Sequence, residues 1–392
     1  MMRRGQTAAS TNATEETAVT SEVLGVIITA AIVAITAAIS LAGNRTRRWI
    51  ETEFDPALYG MPSRAALIPD RAGPPPIGPR TRKTQEIADA ASTGDWKPAA
   101  GYVAAAGGDW DDRWVRVRQL TAIALTDDSW LRKWRTAEPG CCDAAVIEAD
   151  LMVQRAWRIR GSGTVRQVPK PAMASFRAQL PAAIEAARHA ALLDPADPNP
   201  WIVIITAARG AGYRRAKFRE LWTELTARAP HHYDAHWQAL QYWCAKWHGS
   251  DRAMMSFARR AVRNAPMGSP LAGLILHALY ERGKSRPLEE PVRALFERRR
   301  LKTAVNALAL VPEHDPHLPP LRHLLAHHLV RARMWKAALD QFRRLGPWCG
   351  ATPWTDRPDP AKAFHTARGL AAARSKIETG QGVVNKRQGM VR

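Results

Sequence analysis

Apolar residues recur every three or four positions through most of the chain after Thr84, the spacing that gathers them on one face of an α-helix. Trp114, Val117, Leu120, Ile123 and Ala124 form one such stripe, and Val146, Ala149, Val153 and Trp157 another. Phe176, Leu180, Ile184 and Ala187 continue the pattern, followed by Trp201, Ile204, Ile205 and Ala208, and then by Phe218, Leu221, Trp222 and Leu225. The fold class predicted is all-α.

The stripes are themselves periodic. Pro195, Pro230 and Pro266 stand 35 and 36 residues apart, each closing a basic, apolar-periodic stretch. Gly212, Gly249 and Gly283 fall about midway between the prolines, where the first helix of a pair must turn into the second. Asn199-Pro200 and Ser269-Pro270 predict a side-chain acceptor at the N-cap with proline at the first helical position, and Ser250 predicts a further cap. A period in this range predicts stacked antiparallel helical hairpins, an α-solenoid, over residues 170–285. Residues 84–160 read as an N-terminal helical region and 286–346 as C-terminal helices, where the period weakens. Residues 347–392 read as a mostly flexible tail with one short helix from Pro360 to Ser375.

The N-terminal part differs in kind. Residues 1–22 are polar and without apolar periodicity, the composition of a disordered segment. Residues 23–43 carry no charge. As a helix they would extend about 31 Å, enough to cross the hydrocarbon of a bilayer. Arg45, Arg47 and Arg48 follow at once, which by the positive-inside rule keeps the C-terminal flank in the cytoplasm, with Trp49 suited to the interface. The expectation is a single-pass protein of the inner (plasma) membrane. The alternative is secretion after cleavage near Ser40-Leu41-Ala42, although Glu15, Glu16 and Glu22 are foreign to a signal peptide. Residues 44–83, with Pro56, Pro62, Pro69, Pro74, Pro75, Pro76 and Pro79, read as an extended Pro-rich linker.

Charge adds a candidate partner. The chain holds 57 Lys and Arg against 36 Asp and Glu, a net +21, which suits an anionic partner. Only 12 of the basic residues are Lys, so the Arg excess, with so much Ala, matches GC-rich coding bias as well as it matches selection for an anion. Two basic runs, Arg214, Arg215, Lys217 and Arg219, and Arg259, Arg260 and Arg263, fall on second helices of successive hairpins, and a third comprises Arg298, Arg299, Arg300 and Lys302. Stacking would align such runs as a stripe, the candidate partner-binding residues being those of the first two.

Catalytic chemistry finds little support. No Gly-rich phosphate loop, nucleophile elbow or kinase signature occurs. His323 and His327 stand four apart with His314 and His317 nearby, a spacing two metal ligands on one helix would have. No thiolate or carboxylate spacing closes that site, and His232 and His236 repeat the suggestion more weakly, so neither a metal nor another cofactor is expected. Four cysteines, including adjacent Cys141 and Cys142, form neither a disulfide framework nor a zinc spacing. The fifteen tryptophans, among them Trp222, Trp243 and Trp247, are the large aromatics that short helices bury where they cross.

The closing prolines Pro195, Pro230 and Pro266, the alanines Ala190 and Ala261 five residues before two of them, and Trp201 and Trp237 near the starts of first helices resemble the tetratricopeptide repeat. The repeats are divergent: they run one or two residues longer than 34 and lack a Gly at the close-packing position. The segment from Gln238 to Ser250, with Pro230, His231, His232 and Tyr233 before it, is similar to an uncharacterised bacterial family of such proteins. What the resemblance implies is a superhelix of paired helices; the bacterial family brings no known activity with it. The function expected is a membrane-anchored, non-enzymatic scaffold binding an acidic segment of a protein partner. The alternatives are a nucleic-acid-binding regulator using the Arg stripe and a metal-dependent enzyme using the His314 to His328 region.

Overall fold

A computed structural model describes residues 44–74, 79–161, 167–285 and 291–378. These residues form helices joined by turns, and among them no β-strand occurs, only an isolated parallel bridge between Ile68 and Trp348. The helices are α1 (residues 44–52), α2 (Pro79–Ser92), α3 (Lys97–Ala104), α4 (Trp110–Ala124), α5 (Ser129–Ala137), α6 (Cys142–Arg160), α7 (Lys170–Leu193) and α8 (Asn199–Ala211). They continue as α9 (Arg215–Arg228), α10 (Tyr233–Tyr242), α11 (Asp251–Asn264), α12 (Leu274–Ser285), α13 (Pro291–Leu308), α14 (Leu318–Arg331), α15 (Trp335–Leu345) and α16 (Pro360–Glu378). The all-α expectation holds for the described residues.

Neighbour relations are regular. From α4 onward each even-numbered helix packs on the next even-numbered one, as far as α16, and each odd-numbered helix from α5 to α15 packs on one or both of its chain neighbours. The predicted stripes supply part of these contacts: Phe176, Leu180, Ile184 and Ala187 of α7, Ile204, Ile205 and Ala208 of α8 and Phe218 of α9 are buried. A close approach occurs at Gly210, where a Cβ would stand 2.6 Å from Phe176 Cζ and 2.7 Å from Leu180 Cδ1. Only a residue without a side chain lets α8 lie this near α7.

Local signals are partly met. Ser250 caps α11 by accepting from the Ala253 N–H at 3.1 Å, and Ser269 accepts from the Leu271 N–H at 3.2 Å at the 3-10 turn Pro270–Gly273 that leads into α12. Gly212 closes α8 in the left-handed region at φ 81°. Gly283 departs from its predicted turn and lies inside α12. Asn199 departs as well, because Asp197 two residues earlier accepts the Asn199 N–H at 2.7 Å. The Asn199 side chain is left fully buried, with neither amide atom hydrogen-bonded.

The largest departures are at the ends. The predicted segment 1–22 and the predicted membrane span 23–43 lie outside the described residues, and among the described residues no helix is long and apolar enough to cross a membrane. The expected linker is seated on the C-terminal helices over residues 44–74: Ile50, Phe54, Met61 and Leu67 are buried, and Trp49 packs on Phe54 at a ring distance of 5.4 Å. Prolines keep most of this stretch from being helical, so its carbonyls are free to accept. Arg343 Nε donates to Tyr59 O at 2.7 Å, Arg368 Nη1 to Pro62 O at 2.8 Å and His323 Nε2 to Ala72 O at 2.8 Å. The expected tail is likewise packed on the rest of the protein over its described residues. Ile68 N donates to Pro347 O at 2.8 Å, Cys349 N to Ile68 O at 3.0 Å, and Phe364, Ala371 and Ala372 of α16 are buried.

Candidate functional site

The basic runs sit on amphipathic helices whose apolar faces fix what they expose. In α9, Phe218, Leu221 and Leu225 are buried, leaving Arg215, Lys217 and Arg219 exposed, with Arg214 exposed just before the helix. In α11, Met254, Phe257, Ala258 and Ala261 are buried, leaving Arg259, Arg260 and Arg263 exposed. Trp222 of α9 meets Phe257 of α11 edge-on at 5.4 Å, so the two second helices are neighbours. Beyond α11, Arg300 of α13 feels Arg259 and Arg282: burial first, then these two cations, lower its pKa.

The runs differ in how far they are neutralised. Lys217 pairs with Glu220 at 2.7 Å, Arg215 Nε donates to His248 O at 3.0 Å, and the Arg219 guanidinium lies 5.8 Å from the centre of the Trp243 ring. The α9 run is thus drawn toward the end of α10. Arg214, Arg259, Arg260 and Arg263 have no carboxylate partner among the described residues. Arg259 of the second run and Arg300 of the third are close enough to repel one another, while Arg215, Lys217 and Arg219 of the first have local partners.

Most of the histidines suggested as metal ligands have other partners, His327 excepted, whose Nε2 is buried without a hydrogen bond. His323 is fully committed, its Nδ1 accepting from the Trp354 indole at 2.9 Å and its Nε2 donating to Ala72 O. His328 Nε2 donates to Leu276 O at 3.1 Å. His232 Nδ1 accepts from the Ala235 N–H at 3.3 Å, an imidazole cap on α10, while its Nε2 faces Trp110 O at 3.3 Å. His236 Nδ1 faces His232 O at 2.9 Å, and His314 is exposed. Among the described residues no group of three or more His, Cys, Asp or Glu side chains is arranged to hold a metal ion.

One convergence has no counterpart in the sequence pattern. Asp111 at the start of α4 accepts from the Tyr233 N–H at 3.0 Å, joining the amino ends of α4 and α10 across 122 residues. The ring of His317, just before α14, lies 4.1 Å from that of Tyr233. At the start of α6, Asp143 accepts from Arg113 Nε at 2.8 Å and Nη2 at 2.7 Å. Asp197, before α8, is pushed up to about 6 by burial, and the Cys142 thiol, 3.6 Å from it, is pushed up by burial and by the same carboxylate. Raised thiol pKa values are the opposite of nucleophile activation, and Cys141 is raised by burial too. These groups hold helix ends together.

No protein-family model matches the chain, and no curated protein or solved structure matches it.

Proposed function

We propose that the chain is a non-catalytic scaffold of stacked helical hairpins, of the divergent tetratricopeptide kind, whose second helices bind an acidic segment of a protein partner. The unbroken succession of even helices, each leaning on the next, supports the stacked arrangement. Residues 23–43 would anchor it in the inner membrane, with the helical domain on the cytoplasmic side. The joining of α4 to α10 argues against a broad groove along their amino ends, and so favours the opposite layer, α9 and α11, as the face that meets a partner.

The observation that carries the reading is the exposed row Arg259, Arg260 and Arg263, without carboxylate partners among the described residues and continued by Arg300. Arginine forks on an apolar-backed helix suit the carboxylates of Glu and Asp. The test is fluorescence anisotropy of a labelled Glu- and Asp-rich peptide against the unmodified chain and against the triple variant Arg259→Glu, Arg260→Glu, Arg263→Glu. Binding lost in the variant, with unchanged helical circular dichroism, is expected. Tight binding of unrelated single-stranded oligonucleotides, falling steeply with salt while the peptide stays free, would replace this reading with the nucleic-acid one.

A further inference from the structure

A cavity of about 370 Å³ opens between α12, α14, α16 and the 3-10 turn Trp354–Asp356. Val330, Ala363, Ala367 and Leu370 make its apolar wall, and the Trp354 ring closes it. The Trp354 indole N–H is already given to His323 and the Tyr280 hydroxyl donates to Asp356 Oδ2 at 2.6 Å, so these two present aromatic surface. Thr366 Oγ1 donates to Lys362 O at 2.8 Å, and three further polar side chains remain. His327, edge-on to both Tyr280 and Trp354, has an Nε2 that is shielded from solvent and without a hydrogen-bond partner. Arg331 and Arg357 line the same cavity, both on the exposed side.

The charge is unbalanced. Arg331 feels Glu297 as an attracting charge and Arg357 as an opposing one, and neither arginine has an ion pair among the described residues. Of the described carboxylates around the cavity, Glu297 is paired with Arg282 and Asp356 accepts from Tyr280. Burial, and after it His328, Arg331 and Arg357, push the His327 pKa down to about 3, so its imidazole is neutral at pH 7 and offers a hydrogen bond without adding charge. Gly283 lies beside Arg331, whose Nη1 would stand 3.4 Å from a Cβ built there, an ordinary contact. Two cations, one unused neutral donor or acceptor, and an apolar and aromatic wall form a set that lacks one thing, a small anion with an apolar body.

We propose that this cavity binds a small organic monocarboxylate, its carboxylate held between Arg331 and Arg357 and within reach of His327, its apolar part against Val330, Trp354 and Leu370. The site is built from α12, α14 and α16 and is independent of the basic face of α9 and α11.

The experiment is isothermal titration of the full chain with 4-phenylbutyrate, its neutral amide 4-phenylbutyramide, and inorganic phosphate. A 1:1 isotherm for the acid with a Kd of about 1 mM or lower is expected, with the amide at least about tenfold weaker because it cannot satisfy the arginines. Arg331→Gln and Arg357→Gln, both at exposed positions, should each weaken the acid by about fivefold or more with circular dichroism unchanged. No saturable heat with the acid, equal affinity for acid and amide, phosphate binding as tightly as the acid, or full affinity in both variants would each overturn the proposal. The comparison of acid with amide uses the unmodified chain, so a variant that misfolds leaves the test intact.

Discussion

Lowering the pH should unfold this protein well before its surface carboxylates titrate, because buried histidines must stay neutral for the helices to pack. His232, His236, His323 and His328 are all nearly excluded from solvent, and burial pushes each down to about 4. A depressed pKa in the folded state means stability that is present above the unfolded value of about 6.5 and lost as the pH falls toward 4. At about pH 5.5 each unfolded imidazole gains about 1.2 kcal/mol from protonation relative to pH 7, roughly 5 kcal/mol for the four. Asp197 works the other way: with its pKa raised to about 6, the folded state takes up its proton first and recovers about 0.8 kcal/mol over the same interval. The loss from these five groups alone, roughly 4 kcal/mol and added to by the depressed His277, His327 and His365, is a large part of the 5–15 kcal/mol that holds an ordinary domain together. Urea unfolding followed by far-UV circular dichroism at about pH 7 and pH 5.5 measures it directly. The variant His328→Gln, which keeps a donor for Leu276 O, should reduce the loss between the two pH values by about 1.2 kcal/mol. Stabilities at the two pH values agreeing within about 1 kcal/mol would refute the reasoning, since the imidazoles would then be finding partners for their charge.

Two further expectations concern packing. Gly210→Ala should cost about 1–3 kcal/mol, because its Cβ would meet Phe176 and Leu180 with no free space behind them, and adding Phe176→Leu should restore part of the loss. Asn199→Leu should raise stability by about 1 kcal/mol by removing two buried amide atoms that find no partner. The urea midpoint decides both, and a destabilised leucine variant would show that the amide is satisfied after all.

Helices were legible in this chain because their signals are local. A stripe such as Phe218, Leu221 and Leu225 needs only its own spacing to declare a buried face, and Ser250 and Gly212 declare helix ends from a residue or two. The repeat of Pro195, Pro230 and Pro266 likewise placed α9 and α11 in equivalent positions, and with them the basic candidates Arg214, Arg215, Lys217, Arg219, Arg259, Arg260 and Arg263. What stayed hidden depends on partners far away in the chain. The seat of residues 44–74 is made through main-chain carbonyls such as Tyr59 O, Pro62 O and Ala72 O, and a carbonyl has the same appearance in every sequence. Pro-rich composition argued for a spacer; four apolar residues, Ile50, Phe54, Met61 and Leu67, were enough to bind it to the protein. The cavity by His327 was hidden for the same reason, being assembled from three helices and a turn between residues 280 and 370. Asn199 misled for a local reason, since two candidate acceptors stand close together and Asp197 takes the N–H.

During synthesis, Ala72 leaves the ribosome 251 residues ahead of His323, and Pro62 leaves 306 ahead of Arg368. Intermediate helices can assemble with neighbours already made, whereas this early strap must wait for the latest ones and close the longest loop in the molecule. Its docking is therefore a natural last step of folding. A ribosome stalled before α14 would carry a chain whose middle is built and whose two extremities are still unfastened.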